Sequence, residues 1–402
     1  MHAKHLGGSE NPKGRLASGS PSGRTALVIG AGLSGSAVAH SLARRGWSVT
    51  VLDSGHAPGA GASGLPVGLA APHVSPDDNV LSRITRAGVQ ATLQRAKELL
   101  NEGTDWALTG VLEHNLAGKR RLPAAQANDH AQPAQPAHPA HPAQHAHPSE
   151  PAHPGHLNDA LPWPPIDSRP ATPEQVAAAG LPPGTPALWH AHAGWIRPTT
   201  LVAAQLNTPG VKVVWGQTAQ FIALEDMNES PEDGPPAIWR VRDAAGRRLG
   251  EAPLLVVASA YDSLNLLRPL PGFAVPLNPL RGQISYGHLN DLSLDQRQKL
   301  PPFPVNGHGS FISHVPTPHG EPGWFIGSTF ERQCEQAPVR EEDHAANHLR
   351  LATLLPHLGA ALQSQFAPPH VRGWAGVRCT LPNRLPAVGP VHPKQLPGLW
   401  LC

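Results

Sequence analysis

The sequence predicts an α/β (α+β) fold, in which a Rossmann-like domain is combined with a second domain built on an antiparallel sheet. Short apolar runs at residues 26–29 and 254–258 are typical of parallel strands buried on both faces. Residues 309–314 and 323–329 alternate with a period of two, as half-buried antiparallel strands do. The two patterns require two different sheets, so we expect two domains.

The first unit of the Rossmann-like domain covers residues 25–53, TALVIGAGLSGSAVAHSLARRGWSVTVLD. It predicts a strand, a glycine turn, a helix over 33–45 and a second strand over 48–52. Gly30, Gly32 and Gly35 form a G-x-G-x-x-G pattern. These glycines permit the turn, let backbone approach a pyrophosphate and bring the helix close to the strand. The pattern therefore predicts dinucleotide binding, the alternative being a glycine-rich turn without a ligand.

The residues around this turn supply the polar contacts that a dinucleotide needs. The backbone amides of Leu33 and Ser34 begin the helix, where a negative charge is favoured. Asp53 ends the second strand, where a carboxylate suits ribose hydroxyls and repels a 2′-phosphate. Strands, helix and acid stand at the separation expected of a nucleotide-binding unit.

A loop of very small residues follows this unit. It contains the following residues: Gly61, Ala62, Ser63 and Gly64. Such a loop lets a flat ring system lie close to the backbone, although a flexible surface loop has the same composition. Its position directly after the adenosine-binding half favours the first interpretation. Folds of the FAD/NAD(P)-binding type take either cofactor, and this loop favours FAD over NAD.

Composition bounds the class of protein. The 402 residues suffice for two domains, and the formal net charge of +2 neither requires nor excludes a nucleic-acid partner. The three cysteines lie far apart without metal spacing, which fits a reducing compartment. No run is long enough to cross a membrane, and residues 1–24 lack the apolar core of a signal peptide. We expect a cytoplasmic protein.

The remaining chain supplies helices, a meander and one low-complexity tract. Helices are predicted at 79–100, 198–206 and 341–355, the last with Ala345, Leu349, Ala352 and Leu355 on its apolar side. Residues 221–224, 237–241 and 247–250 predict a small meander. Residues 123–156 are rich in His, Pro and Ala, with too little apolar bulk for a core, and we predict a disordered or polyproline-like insertion. Its histidines lack the fixed geometry of a catalytic metal site, so no metal site is predicted.

These patterns divide the chain into separated pieces of two domains. We predict a leader at 1–23 and an FAD-binding domain formed by 24–110, 194–270 and 371–402. The substrate domain would comprise 111–193 and 271–370, with the insertion at 123–156. The last strand begins near residue 398, so we expect the FAD-binding domain to be truncated at its C-terminal end.

Seven segments carry a resemblance to a known family. They are VIGAGLSGSAVAHSLARRGWSVTVLD, GAGASGLPVGLAAPHVSPDDN, GWIRP, PLRGQIS, IGSTFER, VREEDHAANHLRLATLLP and GVRCTLPNRLPAVGP. The chain resembles FAD-dependent oxidoreductases of the D-amino-acid oxidase and glycine oxidase superfamily. More closely, it resembles the oxidoreductase domain of the bifunctional tRNA 5-methylaminomethyl-2-thiouridine biosynthesis proteins (MnmC).

The chain departs from this family in three places. A methyltransferase domain precedes the flavin domain in the bifunctional proteins, and we expect that activity not to be encoded here. In the family, a glycine-rich loop and a helix follow the final strand, and we do not expect them in this sequence. Cys379 and Asn383 stand where relatives commonly have proline and aspartate.

The resemblance implies an oxidation at a carbon–nitrogen bond. The substrate would be the wobble uridine of tRNA, as 5-carboxymethylaminomethyl-2-thiouridine, and loss of its carboxymethyl group would give the 5-aminomethyl form. Arg378 stands where glycine-oxidase-like relatives place a carboxylate-binding arginine, and arginine grips a carboxylate with a planar fork. A structural ion pair is the alternative role of Arg378. Arg281, the second catalytic candidate, would either line the flavin or pin a strand.

Two other functions fit the same residues. A stand-alone amine or amino-acid oxidase would use the same flavin and arginine on a small amine such as glycine or sarcosine. An inactive flavin-binding or RNA-binding module would bind its ligand without chemistry. No Ser/His/Asp arrangement is suggested by spacing, and amine oxidation by a flavin does not require one.

Overall fold

The computed structural model describes residues 24–116, 118, 122–123, 166–225 and 238–402. The predicted leader and nearly all of the predicted insertion lie outside the described residues. The strands, in chain order, are β1 (Thr25–Ile29), β2 (Ser48–Leu52), β3 (Gly68–Ala70), β4 (Trp106–Ala107), β5 (Val111–His114), β6 (Ser168–Pro170), β7 (Ala187–His190), β8 (Gly194–Ile196), β9 (Val211–Val214), β10 (Phe221–Glu225), β11 (Ile238–Arg242), β12 (Arg248–Ala252), β13 (Leu254–Val257), β14 (Asn278–His288), β15 (Val305–Gly307), β16 (Gly309–Pro316), β17 (Pro322–Gly327), β18 (Glu331–Arg332), β19 (Arg372–Thr380), β20 (Gly389–His392) and β21 (Leu396–Leu401).

Helices connect and cover these strands. They are α1 (Leu33–Ala43), α2 (Val80–Leu99), α3 (Pro173–Ala178), α4 (Pro198–Leu206), α5 (Ser263–Leu267), α6 (Leu294–Gln298), α7 (Glu341–Leu354) and α8 (Pro356–Ala361). Short 3₁₀ turns lie at Ala62–Gly64, Ala260–Asp262, Leu289–Asp291 and Gln363–Phe366. Among the described helices, none has the length and apolarity needed to cross a lipid bilayer.

A six-stranded sheet forms the predicted Rossmann-like part, in the order β20-β21-β13-β1-β2-β9. All neighbouring pairs are parallel except β20 and β21. Val28 in β1 lies opposite Val51 of β2 and Val256 of β13. The continuous apolar runs of the sequence therefore form central parallel strands, as predicted.

Both faces of this sheet are covered, which explains why β1 is apolar at consecutive positions. On one face, Val28 and Val51 pack against α1 and α4, where Ala39 and Val202 are fully buried. The other face packs against the antiparallel meander β10-β11-β12, whose Trp239 is fully buried in one hydrophobic cluster with Leu27 and Leu52 of the parallel sheet. The predicted meander is confirmed in its position beside the parallel strands.

The second large sheet has nine strands, in the order β18-β14-β17-β16-β15-β5-β7-β6, with β19 paired to the other edge of β14. Its pairs are antiparallel except β5 with β15. This sheet matches the predicted antiparallel region. The predicted domain boundaries remain predictions; β19, which they group with the FAD-binding pieces, is hydrogen-bonded into this second sheet.

Helix α7 packs on the nine-stranded sheet with a face that only partly matches the predicted one. Of the predicted apolar residues, Leu355 is buried just after the helix and Ala352 is half-buried, but Ala345 is exposed and Leu349 is 67% exposed. The buried residues of α7 itself are His344, Asn347, Leu351 and Leu354. The strand β14 beneath the first half of α7 carries buried polar side chains, and these need hydrogen-bond partners from the helix. Apolar spacing alone misplaced the first half of the buried face because that part of the interface is polar.

Candidate active site

The glycine turn after β1 leaves no room for side chains. Gly30 has φ +106°, and a Cβ added there would lie 2.4 Å from the carbonyl oxygen of Ala258. A Cβ on Gly35 would lie 1.8 Å from the carbonyl oxygen of Gly30, which brings α1 directly against the end of β1. Both positions therefore require glycine, for the turn and for the close packing of helix on strand.

The carboxylate of Asp53 lies beside this turn. Its Oδ2 accepts a hydrogen bond from the Ala31 amide at 2.6 Å, and its Oδ1 accepts one from the Gly55 amide at 2.7 Å. An ionised carboxylate has about four acceptor sites, so two remain for ribose hydroxyls. The acid predicted at the end of β2 thus reaches the first glycine turn.

The small-residue loop meets the start of α1. The Leu33 amide donates to Ser63 Oγ at 3.0 Å, and a Cβ on Gly32 would lie 3.0 Å from the same oxygen. Ser34 and Gly61 are exposed, and nothing lies within 4 Å of a Cβ added to Gly61. The two glycine-rich segments, at residues 30–35 and 61–64, therefore meet at the N-terminus of α1.

These residues fit a dinucleotide. Leu33 and Ser34 are exposed at the helix N-terminus, glycines stand at 30, 32 and 35 beside them, and the two amides that bond Asp53 leave it further acceptor sites. FAD would be held at its pyrophosphate by the turn from Gly30 to Gly35 and at its ribose by Asp53. When bound, it would supply a flavin that can take up two electrons.

Strand β19 of the second sheet passes beside the small-residue loop. A Cβ on Gly64 would lie 3.6 Å from Trp374 Nε1. The Trp374 ring lies over Gly376, where an added Cβ would meet the ring at 2.4 Å. Residues 374, 376 and 378 share one face of the strand because side chains alternate. The loop next to α1 and Arg378 therefore lie along the same surface.

Among the described residues, Arg378 has no acidic partner on this surface. Its guanidinium lies 4.9 Å from the centroid of the Phe330 ring, and within the described chain no hydrogen bond or ion pair engages it. Gly282 makes room for it, since a Cβ there would lie 2.9 Å from Arg378 Nη2. Desolvation by neighbouring residues lowers the pKa of Arg378 from its usual value. An unpaired guanidinium beside an aromatic ring retains its fork for an anion.

Arg281 lies elsewhere and is already engaged. Its side chain is 1% exposed; Nη1 donates to Asp343 Oδ2 at 2.7 Å, and Nη2 donates to Gln283 Oε1 at 3.0 Å and to the Pro338 carbonyl. Arg281 pairs with Val377 across the β14–β19 ladder, whereas Arg378 pairs with Leu280. Opposite residues share a face, so the two arginines point to opposite faces of the sheet.

The structure does not bring the two predicted catalytic arginines together. Of the two roles left open for Arg281, its geometry favours pinning a strand. Trp374 and Phe330, which border Arg378, were not predicted; a period of two along β19 could have indicated Trp374, but Phe330 comes from another segment.

Sequence reasoning also did not predict a buried chain of hydrogen-bonded polar side chains. His190 Nδ1 is 2.7 Å from Ser168 Oγ, and His190 Nε2 is 3.0 Å from Glu113 Oε2. Ser168 and His190 line one wall of a cavity of about 380 Å³ between α2 and β7. The three residues come from three strands, so spacing along the chain did not indicate the arrangement.

Comparison with known proteins supplies a family. The family described as DAO, FAD dependent oxidoreductase, matches residues 25–402. The bifunctional protein MnmC of tRNA 5-methylaminomethyl-2-thiouridine biosynthesis from Polaromonas naphthalenivorans is 44% identical over 94% of this chain and 53% of that protein. Its counterpart from Paracidovorax citrulli is 45% identical over 98% of this chain and 56% of that protein. The chain thus spans about half the length of these curated relatives.

Solved structures share the fold at lower identity. Glycine oxidase from Geobacillus kaustophilus has a TM-score of 0.60 at 17% identity, covering 94% of this chain and 89% of that chain. L-proline dehydrogenase from P. horikoshii has a TM-score of 0.61 at 16% identity, covering 94% and 87%. Two oxidoreductases of amines or imino acids therefore share this arrangement of sheets.

Proposed function

This chain belongs to the DAO family of FAD-dependent oxidoreductases, and we propose that it oxidatively removes the carboxymethyl group of 5-carboxymethylaminomethyl-2-thiouridine at the wobble position of tRNA. The relatives that support this substrate are the bifunctional MnmC proteins, more than 40% identical over nearly the whole chain. The products would be the 5-aminomethyl nucleotide and glyoxylate. A tRNA substrate would place the protein in the cytoplasm.

One observation carries the proposal: Arg378 offers an unpaired guanidinium on the surface that also borders the dinucleotide cradle. The group to be removed ends in a carboxylate, and a guanidinium fork binds a carboxylate through two parallel hydrogen bonds. This geometry supports a role for Arg378 as an anchor for the part of the substrate that leaves.

The protein residues would then act by orientation and exclusion of water. Arg378 would fix the carboxylate, and the Trp374 ring would cover the substrate's approach beside the Ala62–Gly64 turn. Holding the amine at a fixed position beside the cofactor supplies much of the rate enhancement in such reactions. Strand β19 is held by its hydrogen bonds to β14, and Arg281 of β14 is in turn bonded to Asp343 of α7.

Anaerobic mixing of the FAD-loaded protein with tRNA bearing the carboxymethylaminomethyl group tests the proposal. We expect bleaching of the flavin absorbance and release of glyoxylate. The matched control is the same tRNA with a 5-aminomethyl group, which lacks the carboxylate and should leave the flavin oxidised. An oxidised flavin with both tRNAs would contradict the proposal.

The same experiment separates the two alternatives. Glycine oxidase shares the fold, and a small-amine oxidase would bleach faster with free glycine or sarcosine than with the modified tRNA. An inactive module would bind FAD or tRNA and bleach with none of these substrates.

A further inference from the structure

The exposed ring of Phe330 carries two guanidinium groups. Arg350, on α7, lies 5.4 Å from the ring centroid, and Arg378, on β19, lies 4.9 Å from it. Phe330 itself is 56% exposed. An aromatic ring attracts cations to its face but does not neutralise them. The ring therefore holds two positive charges near each other at the protein surface.

No acidic side chain of the described residues balances these charges. Within the part of the chain that the structure describes, Arg350 makes no ion pair, and its buried Nε has no hydrogen-bond acceptor. The nearest acid along the chain is Glu331, and its carboxylate binds Arg340 at 2.8 Å and faces Arg281 at 3.6 Å. Burial also lowers the pKa of Arg350, as expected of a cation that lacks a partner. Two unneutralised guanidinium groups at the same aromatic ring favour a ligand with more than one negative charge.

We propose that Arg350 binds a backbone phosphate of the RNA strand that carries the substrate nucleotide, while Arg378 holds the carboxylate of its modified base. This inference rests on the proposed function and extends it to a contact outside the reacting group. Arginine matches phosphate through the same planar fork with which it matches carboxylate.

The pair of arginines favours a nucleic acid over a free amine. Glycine or sarcosine has one carboxylate, for which Arg378 alone suffices, and Arg350 would stay unpaired. A nucleotide within RNA brings a phosphate with each residue of the strand, so a base held at Arg378 presents further anions nearby. The exposed Phe330 ring adds an apolar surface of the kind on which nucleotides rest.

The test compares Arg350→Gln with the wild-type holoenzyme in two assays. The first measures binding of the carboxymethylaminomethyl-modified tRNA at several salt concentrations. The second measures flavin reduction by the corresponding free nucleoside, which has the carboxylate but no phosphate. Arg45→Gln is the matched control, because Arg45 is an exposed arginine in the turn after α1, and the described contact of its side chain is with the Ser41 carbonyl.

We expect Arg350→Gln to weaken tRNA binding about tenfold or more and to lower the slope of log K against log salt by about one. Reduction by the free nucleoside should be unchanged, and so should flavin content. Arg350→Lys should retain the salt dependence, since it keeps the charge, while losing part of the affinity.

Wild-type affinity and slope in Arg350→Gln would overturn the inference and leave the proposed function standing. Equal losses with tRNA and with the free nucleoside would also overturn it, because they would place Arg350 at the reacting group. A wild-type protein that binds no modified tRNA would overturn the inference and the proposed function together.

Discussion

Each face of the β14–β19 ladder carries an arginine, which is buried and hydrogen-bonded on one face and exposed on the other. On the face toward α7, Arg281 is 1% exposed and bonded to Asp343, Gln283 and Pro338. On the face toward the dinucleotide cradle, Arg378 is exposed, and none of the described acidic residues pairs with it. An arginine whose two terminal nitrogens are bonded to neighbouring groups stabilises a fold, whereas one left open beside an aromatic ring is available to a ligand.

The buried face forms a network in which most polar groups are satisfied. Gln283 accepts from Arg281 and from the Arg340 amide, and it donates to the Arg340 carbonyl. Asn347 donates to the Gln283 carbonyl and to Ser285 Oγ. Such a network loses much when one member is removed, because its partners are left buried without hydrogen bonds. The two faces should therefore respond to mutation in different ways.

The largest effect is expected at Arg281. Arg281→Leu would leave Asp343 and Gln283 without their partner, and we expect a loss of about 3–5 kcal/mol in the free energy of unfolding. Urea denaturation measures it, with Arg378→Leu as the control on the opposite face, where little change is expected. If Arg378→Leu destabilised the protein as much as Arg281→Leu, the contrast between the faces would be lost.

Cofactor binding should depend on the parallel sheet and on neither arginine. Asp53→Ala removes an acceptor for the ribose and should weaken FAD binding by on the order of 1.5–3 kcal/mol. Titration of the apoprotein with FAD gives the affinity, and NADH in the same assay tests the preference for FAD. Retention of wild-type FAD affinity in this variant would remove Asp53 from the cofactor site.

Arg378→Lys tests the open face directly. Lysine keeps the charge but loses the fork, so flavin reduction by the modified tRNA should slow about tenfold. Stability and flavin content should match the wild type. Unchanged reduction kinetics would mean that Arg378 does not hold the carboxylate.

The smallest effect concerns pH and the buried face. His344 lies against Ser285 Oγ at 2.7 Å, and burial lowers its pKa from the usual 6.5. As the pH falls below 6.5, His344 is protonated in the unfolded chain before it is protonated in the folded protein. The stability that neutral His344 contributes is therefore present above pH 6.5 and is lost as the pH falls through its folded pKa. We expect His344→Gln to lose less stability than the wild type between about pH 7 and about pH 5. Parallel stability curves for the two proteins would exclude this role.

Several features followed from the sequence because they depend on short-range spacing. The glycine turn, Asp53 and the apolar runs lie within one strand–helix–strand unit, so local pattern determined both the parallel sheet and the predicted nucleotide contacts. The FAD-dependent family was likewise predicted from motifs and confirmed by the match over residues 25–402. The contacts of individual site residues with a ligand stay predictions.

Other features were decided only by tertiary structure. Whether Arg281 and Arg378 share a face depends on the register between β14 and β19, segments separated by about ninety residues of chain. A shift of one residue would exchange the faces of every side chain on a strand, and no local pattern fixes that shift. The same holds for Arg350, which meets Phe330 only because α7 packs across the end of the sheet. Spacing along the chain determines which elements form, but contacts between distant elements determine which of their charges are satisfied and which remain open.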